Sequence, residues 1–258
     1  MVLFVMIDGL RPEAITAEGA PTLTGLMARG AYSLAARSVM PCITLPCHMS
    51  IFHSVPPTRH GVTTNVWSPM ARPLPGLMEV AKAAGKRCAF FINWEPLRNL
   101  SQPESLEFSY FRNVVKSPGG DYVIAAEAMR VLPADSFDFA FVYLGTVDEA
   151  GHDYGWMSPN YLAQATVVDE ALGKLVGALP ASTTVVVQAD HGGHGRTHGT
   201  EAVEDMTIPW IAAGPGLRAG YALQGPVSLL DTAPTLARLM GVPPAADWEG
   251  KVVEEAFE

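Results

Sequence analysis

The run Val185-Val186-Val187-Gln188-Ala189-Asp190-His191-Gly192-Gly193-His194-Gly195-Arg196-Thr197-His198-Gly199 sets the terms of the fold. It reads as a buried strand that delivers an adjacent Asp-His pair into a glycine-rich loop bearing two more histidines. Side chains branched at Cβ pack well in a sheet. The glycines let the loop that follows close around a ligand. Three other apolar runs share this form: Val2–Ile7 before Asp8-Gly9, Arg87–Ile92 before Asn93, and Phe137–Leu144 before Gly145, with Asp148 four residues beyond Leu144. Between them, Tyr122–Leu132 and Pro159–Leu179 repeat apolar residues at helical spacing. A further helix over Leu229–Met240 opens near Asp231 and stops at Gly241-Val242-Pro243. Strands alternating with helices predict an α/β fold, a mostly parallel central sheet with helices on both faces. No internal repeat or linker interrupts residues 1–258, so one domain is expected. Such sheets bind ligands beyond the carboxyl ends of their strands, where Asp8, Asp148 and Asp190 fall.

Composition narrows the function classes. Apolar residues make up 48% of the 258 and charged residues 17%, enough for a sizeable core and too apolar for disorder. Seventeen basic against 26 acidic residues give a net charge of −9, which argues against general nucleic-acid binding. Cys42, Cys47 and Cys88 form no CxxC pair and no disulfide framework. No apolar run approaches the ~20 residues of a membrane span. The first seven residues are apolar without a basic flank or cleavage site, so they read as a strand rather than a signal peptide, and a cytoplasmic location is the expectation.

Three segments carry chemistry. In Asp148-Glu149-Ala150-Gly151-His152, the Asp and His lie four apart and share a face if the segment is helical, as two ligands of one metal must. A capping Asp with an exposed His is the plainer alternative. The 185–199 run offers Asp190, His191, His194 and His198, and its alternative is a solvated loop. In Pro41-Cys42-Ile43-Thr44-Leu45-Pro46-Cys47-His48-Met49-Ser50, Pro46 suits a first helical turn and Thr44 stands about where an N-cap would be. Thr44 is therefore either a cap or a hydroxyl nucleophile at a helix N-terminus.

The order Asp8-Gly9, Thr44-Leu45-Pro46 with His48, His60-Gly61-Val62 with Asn65, Asp148…His152, Asp190-His191, His198 and Asp231-Thr232-Ala233-Pro234-Thr235 resembles the alkaline phosphatase superfamily. Within it, the pattern is most similar to the type I phosphodiesterase/nucleotide pyrophosphatase branch. The resemblance implies an alkaline-phosphatase-like fold and two divalent metal ions, zinc by ligand chemistry with manganese or iron as alternatives, about 4 Å apart. By position, one ion would take Asp148, His152 and His198, and the other Asp8, Asp190, His191 and the oxygen of Thr44. Thr44 would be the nucleophile and Asn65 would donate to a non-bridging phosphate oxygen. Apart from the resemblance, Asn65 reads as a turn residue after Thr63-Thr64, His48 equally as a core histidine or a group behind the ligands, and His53 and His60 as structural. His194 reads as loop surface, Arg11 as a surface ion pair, and Trp67, Trp94, Trp156 and Trp210 as core or pocket wall.

The chain also departs from the pattern. Cys47 stands where these relatives carry Asn, and their long insertions are reduced to residues 93–118, expected here as a small cap bearing Trp94, Phe108, Tyr110, Phe111 and Arg112. The Cys/Ser-x-Pro-x-Arg pattern of sulfatases is absent after Cys42, as are the serine and large inserted domain of the phosphoglycerate mutase branch. The expectation is a two-metal phosphodiesterase acting on a small-molecule phosphate ester through a phosphothreonine intermediate. A phosphomonoesterase or phosphonate hydrolase on the same site is the nearest alternative, and a metal-binding protein without turnover the non-enzymatic one.

Overall fold

Six consecutive apolar residues need cover on both faces, and Val2–Ile7 forms a strand, β1, buried along its whole length. A computed structural model describes all 258 residues. The further strands are β2 (Ala31–Arg37), β3 (Cys88–Ile92), β4 (Phe108–Phe111), β5 (Phe139–Leu144), β6 (Thr184–Gln188), β7 (Thr207–Ala213) and β8 (Tyr221–Ala222). They make one sheet in the order β4-β3-β5-β1-β6-β7-β2-β8. Pairing is parallel from β4 through β6 and antiparallel at β6–β7 and β7–β2. The helices are α1 (Pro21–Ala28), α2 (Thr44–His53), α3 (Pro57–His60), α4 (Leu77–Ala83), α5 (Gly120–Val131), α6 (Thr146–Tyr154), α7 (Pro159–Gly177), α8 (Val203–Met206) and α9 (Thr232–Leu239). Helices α1, α5 and α7 pack together on one side of the sheet, and α2, α4 and α9 on the other. No helix is long and apolar enough to cross a membrane.

The four strands read from apolar runs are present. Four others carry weaker signals. β2 alternates buried and exposed positions but is built of Ala, Ser and Arg as much as of strand formers. β7 contains Pro209, which cannot donate to a ladder; it lies between the pairs Ser33–Trp210 and Ala36–Ile208, where the register of β2 shifts. β8 has only two residues. β4 lies within the segment expected as a cap: Phe108–Phe111 extends the sheet beyond β3, with Phe108 against Phe91 and Phe137. The helix expected over Leu229–Met240 divides into a 3-10 turn, Leu229–Asp231, and α9.

Helix α2 is held by an aromatic plug. Phe52 sits against Phe4, Phe90 and Phe141 of β1, β3 and β5, with ring centroids 5.0–6.3 Å apart. Replacing a buried Phe by Ala costs about 3–5 kcal/mol. That anchor fixes the N-terminus of α2 over the carboxyl ends of the parallel strands.

Candidate two-metal active site

Asp8 follows β1 directly, and Asp190 and His191 follow β6, so parallel pairing of β1 with β6 brings these three groups together at one sheet end. His191 Nε2 lies 3.3 Å from Asp8 Oδ1 and 3.5 Å from Asp190 Oδ2, and all three residues are fully buried. The Asp148–His152 segment is helical in α6, so its two side chains do share a face, with His152 Nε2 3.4 Å from Asp148 Oδ2. His198 closes that second group at 3.7 Å from Asp148 Oδ1. Within each set of three, one ligand atom per residue lies within 4.8 Å of the others. The His191 and His198 rings, one from each set, stack at 3.7 Å between centroids.

The donor chemistry fits metal ions. Each of the three histidines turns Nδ1 to a backbone carbonyl: His191 to Gly192 (2.8 Å), His198 to Cys42 (2.9 Å) and His152 to Arg196 (3.1 Å). A carbonyl can only accept, so Nδ1 carries a proton in each ring and Nε2 is the nitrogen turned to the cluster, where its lone pair can ligate a metal in place of a second proton. Asp8 Oδ1, Asp148 Oδ1 and Asp190 Oδ2 are buried with no hydrogen-bond partner. Three such acceptors side by side call for protons or cations. Burial, reinforced by the neighbouring carboxylates, pushes Asp8 well above the usual range and Asp190 up to about 7. Burial also pushes Asp148 up, but the contact with His152 and the nearby imidazoles outweigh it and leave Asp148 below its ordinary value. His152 is drawn up to about 9 by Asp148, whereas burial and His191 hold His198 down to about 4.

Thr44 is not a cap. Ile43 takes the N-cap position, Thr44 is the first residue of α2, and its Oγ1 lies 3.4 Å from His191 Nε2. Its carbonyl accepts from His48 Nδ1 at 2.8 Å. Asn65 Oδ1 accepts from Leu45 N–H at 2.9 Å, which fixes the amide and leaves Nδ2 to the cavity. That cavity, about 150 Å³, is floored by Asp8, Thr44, Asp148 and His198 and walled by Asn65, Trp94, Val115, Tyr143, Glu149 and His152. A larger groove of about 470 Å³ along Val227 and residues 249–255 holds none of these groups.

The other singled-out residues lie apart from the floor. Arg11 pairs with Glu13 and donates to the Gly193 carbonyl, so it does not fold over the clusters. His194 pairs with Asp205 at 2.6 Å. His60 bonds Ser50 at 3.0 Å, and His53 bonds the Met49 carbonyl. His48 is buried 3.6 Å from Asp190, with Nε2 unpartnered; burial pulls its pKa down to about 3. Trp67 is exposed and Trp210 is core. Trp156 donates from Nε1 to the Gly9 carbonyl at 2.9 Å and sets its ring edge-on to His152. A Cβ at residue 193 would fall 2.2 Å from that ring, so glycine there lets the loop close. Tyr143, which donates to Asp8 Oδ2, and Glu149 have no motif of their own; only the strand-end position of Tyr143 and the adjacency of Glu149 to Asp148 signal them.

Comparison with known proteins places the fold. The murine ectonucleotide pyrophosphatase/phosphodiesterase 5, an inactive variant in complex with AMP, superposes with a TM-score of 0.83 at 16% identity, covering 100% of this chain and 99% of that one. A phosphonate monoester hydrolase from Silicibacter pomeroyi gives a TM-score of 0.78 at 17% identity over 98% of this chain and 75% of that one. At these identities the likeness is one of fold. In sequence, a protein described as sulfatase ppz1 of Metarhizium majus is 37% identical over 79 residues, 28% of this chain and 18% of that one. The matched stretches span only 18–24% of the length of such curated relatives. The model of the type I phosphodiesterase / nucleotide pyrophosphatase family matches residues 2–74 and 77–205, most of the chain and all of the groups gathered around the cavity, and the chain belongs to that family.

Proposed function

We propose that this protein is a two-metal phosphodiesterase in which Thr44 is the nucleophile. The observation that carries the reading is the hydroxyl of Thr44, in the first turn of α2, 3.4 Å from an imidazole of one ligand set and sharing a cavity with the other. Asp8, Asp190 and His191 would hold one divalent cation, and Asp148, His152 and His198 the second. Zinc suits this imidazole and carboxylate set, and manganese and iron are the alternatives. When bound, the two ions supply Lewis-acid stabilisation of the attacking and leaving oxygens.

The chain's own residues do the rest. Thr44 Oγ1 gives its proton to solvent and attacks phosphorus in line; the Oγ1–P bond forms as the ester bond breaks, and the leaving oxygen departs with the electron pair, to be protonated by solvent where its basicity requires it. Asn65, its amide held by Leu45 N–H, donates to a non-bridging oxygen as charge builds there. Water then attacks the phosphothreonine from the opposite side; its oxygen bonds phosphorus as the Oγ1–P bond breaks, and the proton that it sheds balances the one that Oγ1 takes up to restore the hydroxyl. The cavity lining contains no Lys or Arg, and Glu149 adds a carboxylate to it. A singly charged diester suits that wall better than a monoester dianion, which calls for an extra cation. Trp94 and Val115 offer an apolar wall to an aryl or nucleoside substituent.

The test combines metal analysis with a panel of p-nitrophenyl phosphate mono- and diesters. About two equivalents of transition metal, activity lost to a chelator, and turnover of the diesters are expected. Full activity in metal-free protein would overturn the reading. Metal without turnover of any ester would leave a binding protein.

A further inference from the structure

Helix α6 carries Asp148 and His152, yet it begins at Gly145, which has no side chain to cap it. A residue with a Cβ there would meet Val115 and Tyr143 at 2.7–2.8 Å, so a local cap is sterically closed to this turn. The first N–H groups of a helix still need acceptors when buried. They find them on another helix. Asp121 of α5, fully buried, accepts from Gly145 N (3.0 Å), Thr146 N (3.1 Å) and Thr146 Oγ1 (2.6 Å). Its fourth bond comes from Asn93 Nδ2 at 2.6 Å, at the end of β3 and next to the cavity-wall residue Trp94. Gln164 of α7 donates to Thr146 Oγ1 and completes the bracket.

Resting on the two-metal reading above, we propose that Asp121, braced by Asn93, is a positioning residue for the metal site of Asp148, His152 and His198. Asp148 is the third residue of α6 and His152 lies one turn on, so both ligands move with the helix start. His198 comes from a separate loop and does not. Metal–ligand distances tolerate about ±0.2 Å, and a helix freed at its N-terminus exceeds that. Asp8, Asp190 and His191 follow β1 and β6 and are carried by those strands rather than by α6.

Asp121→Asn separates this role from general stability. Whichever way the new amide turns, its NH2 faces a backbone N–H, of Gly145 or of Thr146, and one helix-start bond is lost. Affinities of the two zinc equivalents would be measured by competition with a chromogenic chelator. The control is Ile124→Ala, a core lesion in the same helix. Asp121→Asn should weaken one equivalent about 10–100-fold and leave the other within about threefold. Ile124→Ala should lower Tm and shift neither. Thr146→Val, which deletes one donor to Asp121 and the acceptor of Gln164 but keeps both backbone bonds, should weaken the same equivalent by about threefold or more, and serves if Asp121→Asn does not fold. Equal shifts of both equivalents, or matching behaviour of Asp121→Asn and Ile124→Ala, would overturn the role. Wild-type protein that binds two zinc ions and cleaves diesters, with no affinity change in Asp121→Asn, would remove the positioning role and leave the hydrolase reading standing. A wild-type protein that binds no metal would overturn both.

Discussion

The two ligand clusters differ in how the fold holds them. The inner one, Asp8, Asp190 and His191, grows out of adjacent parallel strands and is wholly buried. The outer one joins a helix to a loop; the His152 side chain is 41% exposed, against 0% for His191. Strand ends are fixed by ladders on both sides, whereas a helix start and a glycine-rich loop depend on outside supports such as Asp121 and Trp156. The inner cluster should therefore be rigid and slow to exchange, and it lies beside the Thr44 hydroxyl proposed as the nucleophile. The outer cluster should be the adjustable half, open to solvent and closer to the leaving group.

The sharpest test of that division uses the hydroxyl assigned to the inner half. Thr44→Ala should lower kcat by about three orders of magnitude or more with metal content largely kept, and Thr44→Ser should recover much of it. Two displacements predict retention of configuration with a chiral phosphate. Inversion would show direct attack by water and leave Thr44 without a chemical role.

Ligand deletions come next in size. His152→Ala and His198→Ala should share one phenotype, with the outer metal weakened on the order of 10–100-fold and the inner one retained. His191→Ala should lose the inner metal and, in kcat, resemble Thr44→Ala. If all three variants lose both metals together, the clusters are one cooperative unit and the comparison fails. His194→Ala, bonded to Asp205, should leave both sites loaded.

Substrate choice probes the wall rather than the floor. With Arg11 tied to Glu13 and no cation in the lining, kcat/KM for bis(p-nitrophenyl) phosphate should exceed that for p-nitrophenyl phosphate at least about tenfold, roughly 1.4 kcal/mol. A monoester preference erased by Arg11→Ala would show that Arg11 leaves its partner in the working enzyme.

The smallest effect is on stability with pH. Asp148 raises His152 to about 9, so in the chelated protein this pair stabilises the fold fully below about pH 6.5 and is lost as pH climbs towards 9. Tm of the metal-free protein should fall across that window, and His152→Gln should flatten the slope. A bound metal takes the place of the proton on Nε2, so the loaded protein should not share the fall.

Much of this was legible in the residues alone. Apolar runs ending in Asp8, Asn93, Gly145 and Asp190 mark the parallel centre of the sheet, because strands covered on both faces must be apolar throughout. The family order of Asp, Thr, Asn and His residues supplied the site set that the fold gathers at one sheet end. What chain-local pattern could not give depends on contacts between distant segments. β7 hides behind Pro209 because its tolerance depends on a register shift between Ser33 and Ala36 of β2, far away in the chain. Phe108–Phe111 looks like a cap until β3 offers it an edge. Thr44 reads locally as a cap, and only the fold gives the cap position to Ile43 and brings His191 from the end of β6 to within 3.4 Å of its hydroxyl. Asp121 and Tyr143 carry no motif, since a hydrogen bond to a helix start or to a carboxylate needs only the right atom at the right place. Local sequence determined which segments bury and which residue types can bind metal, because burial and ligand chemistry belong to single residues and short periods. Tertiary structure decided which candidate ligands come together, which nitrogen of each imidazole faces them and what holds α6 in line, because those are distances, and the folded chain sets them.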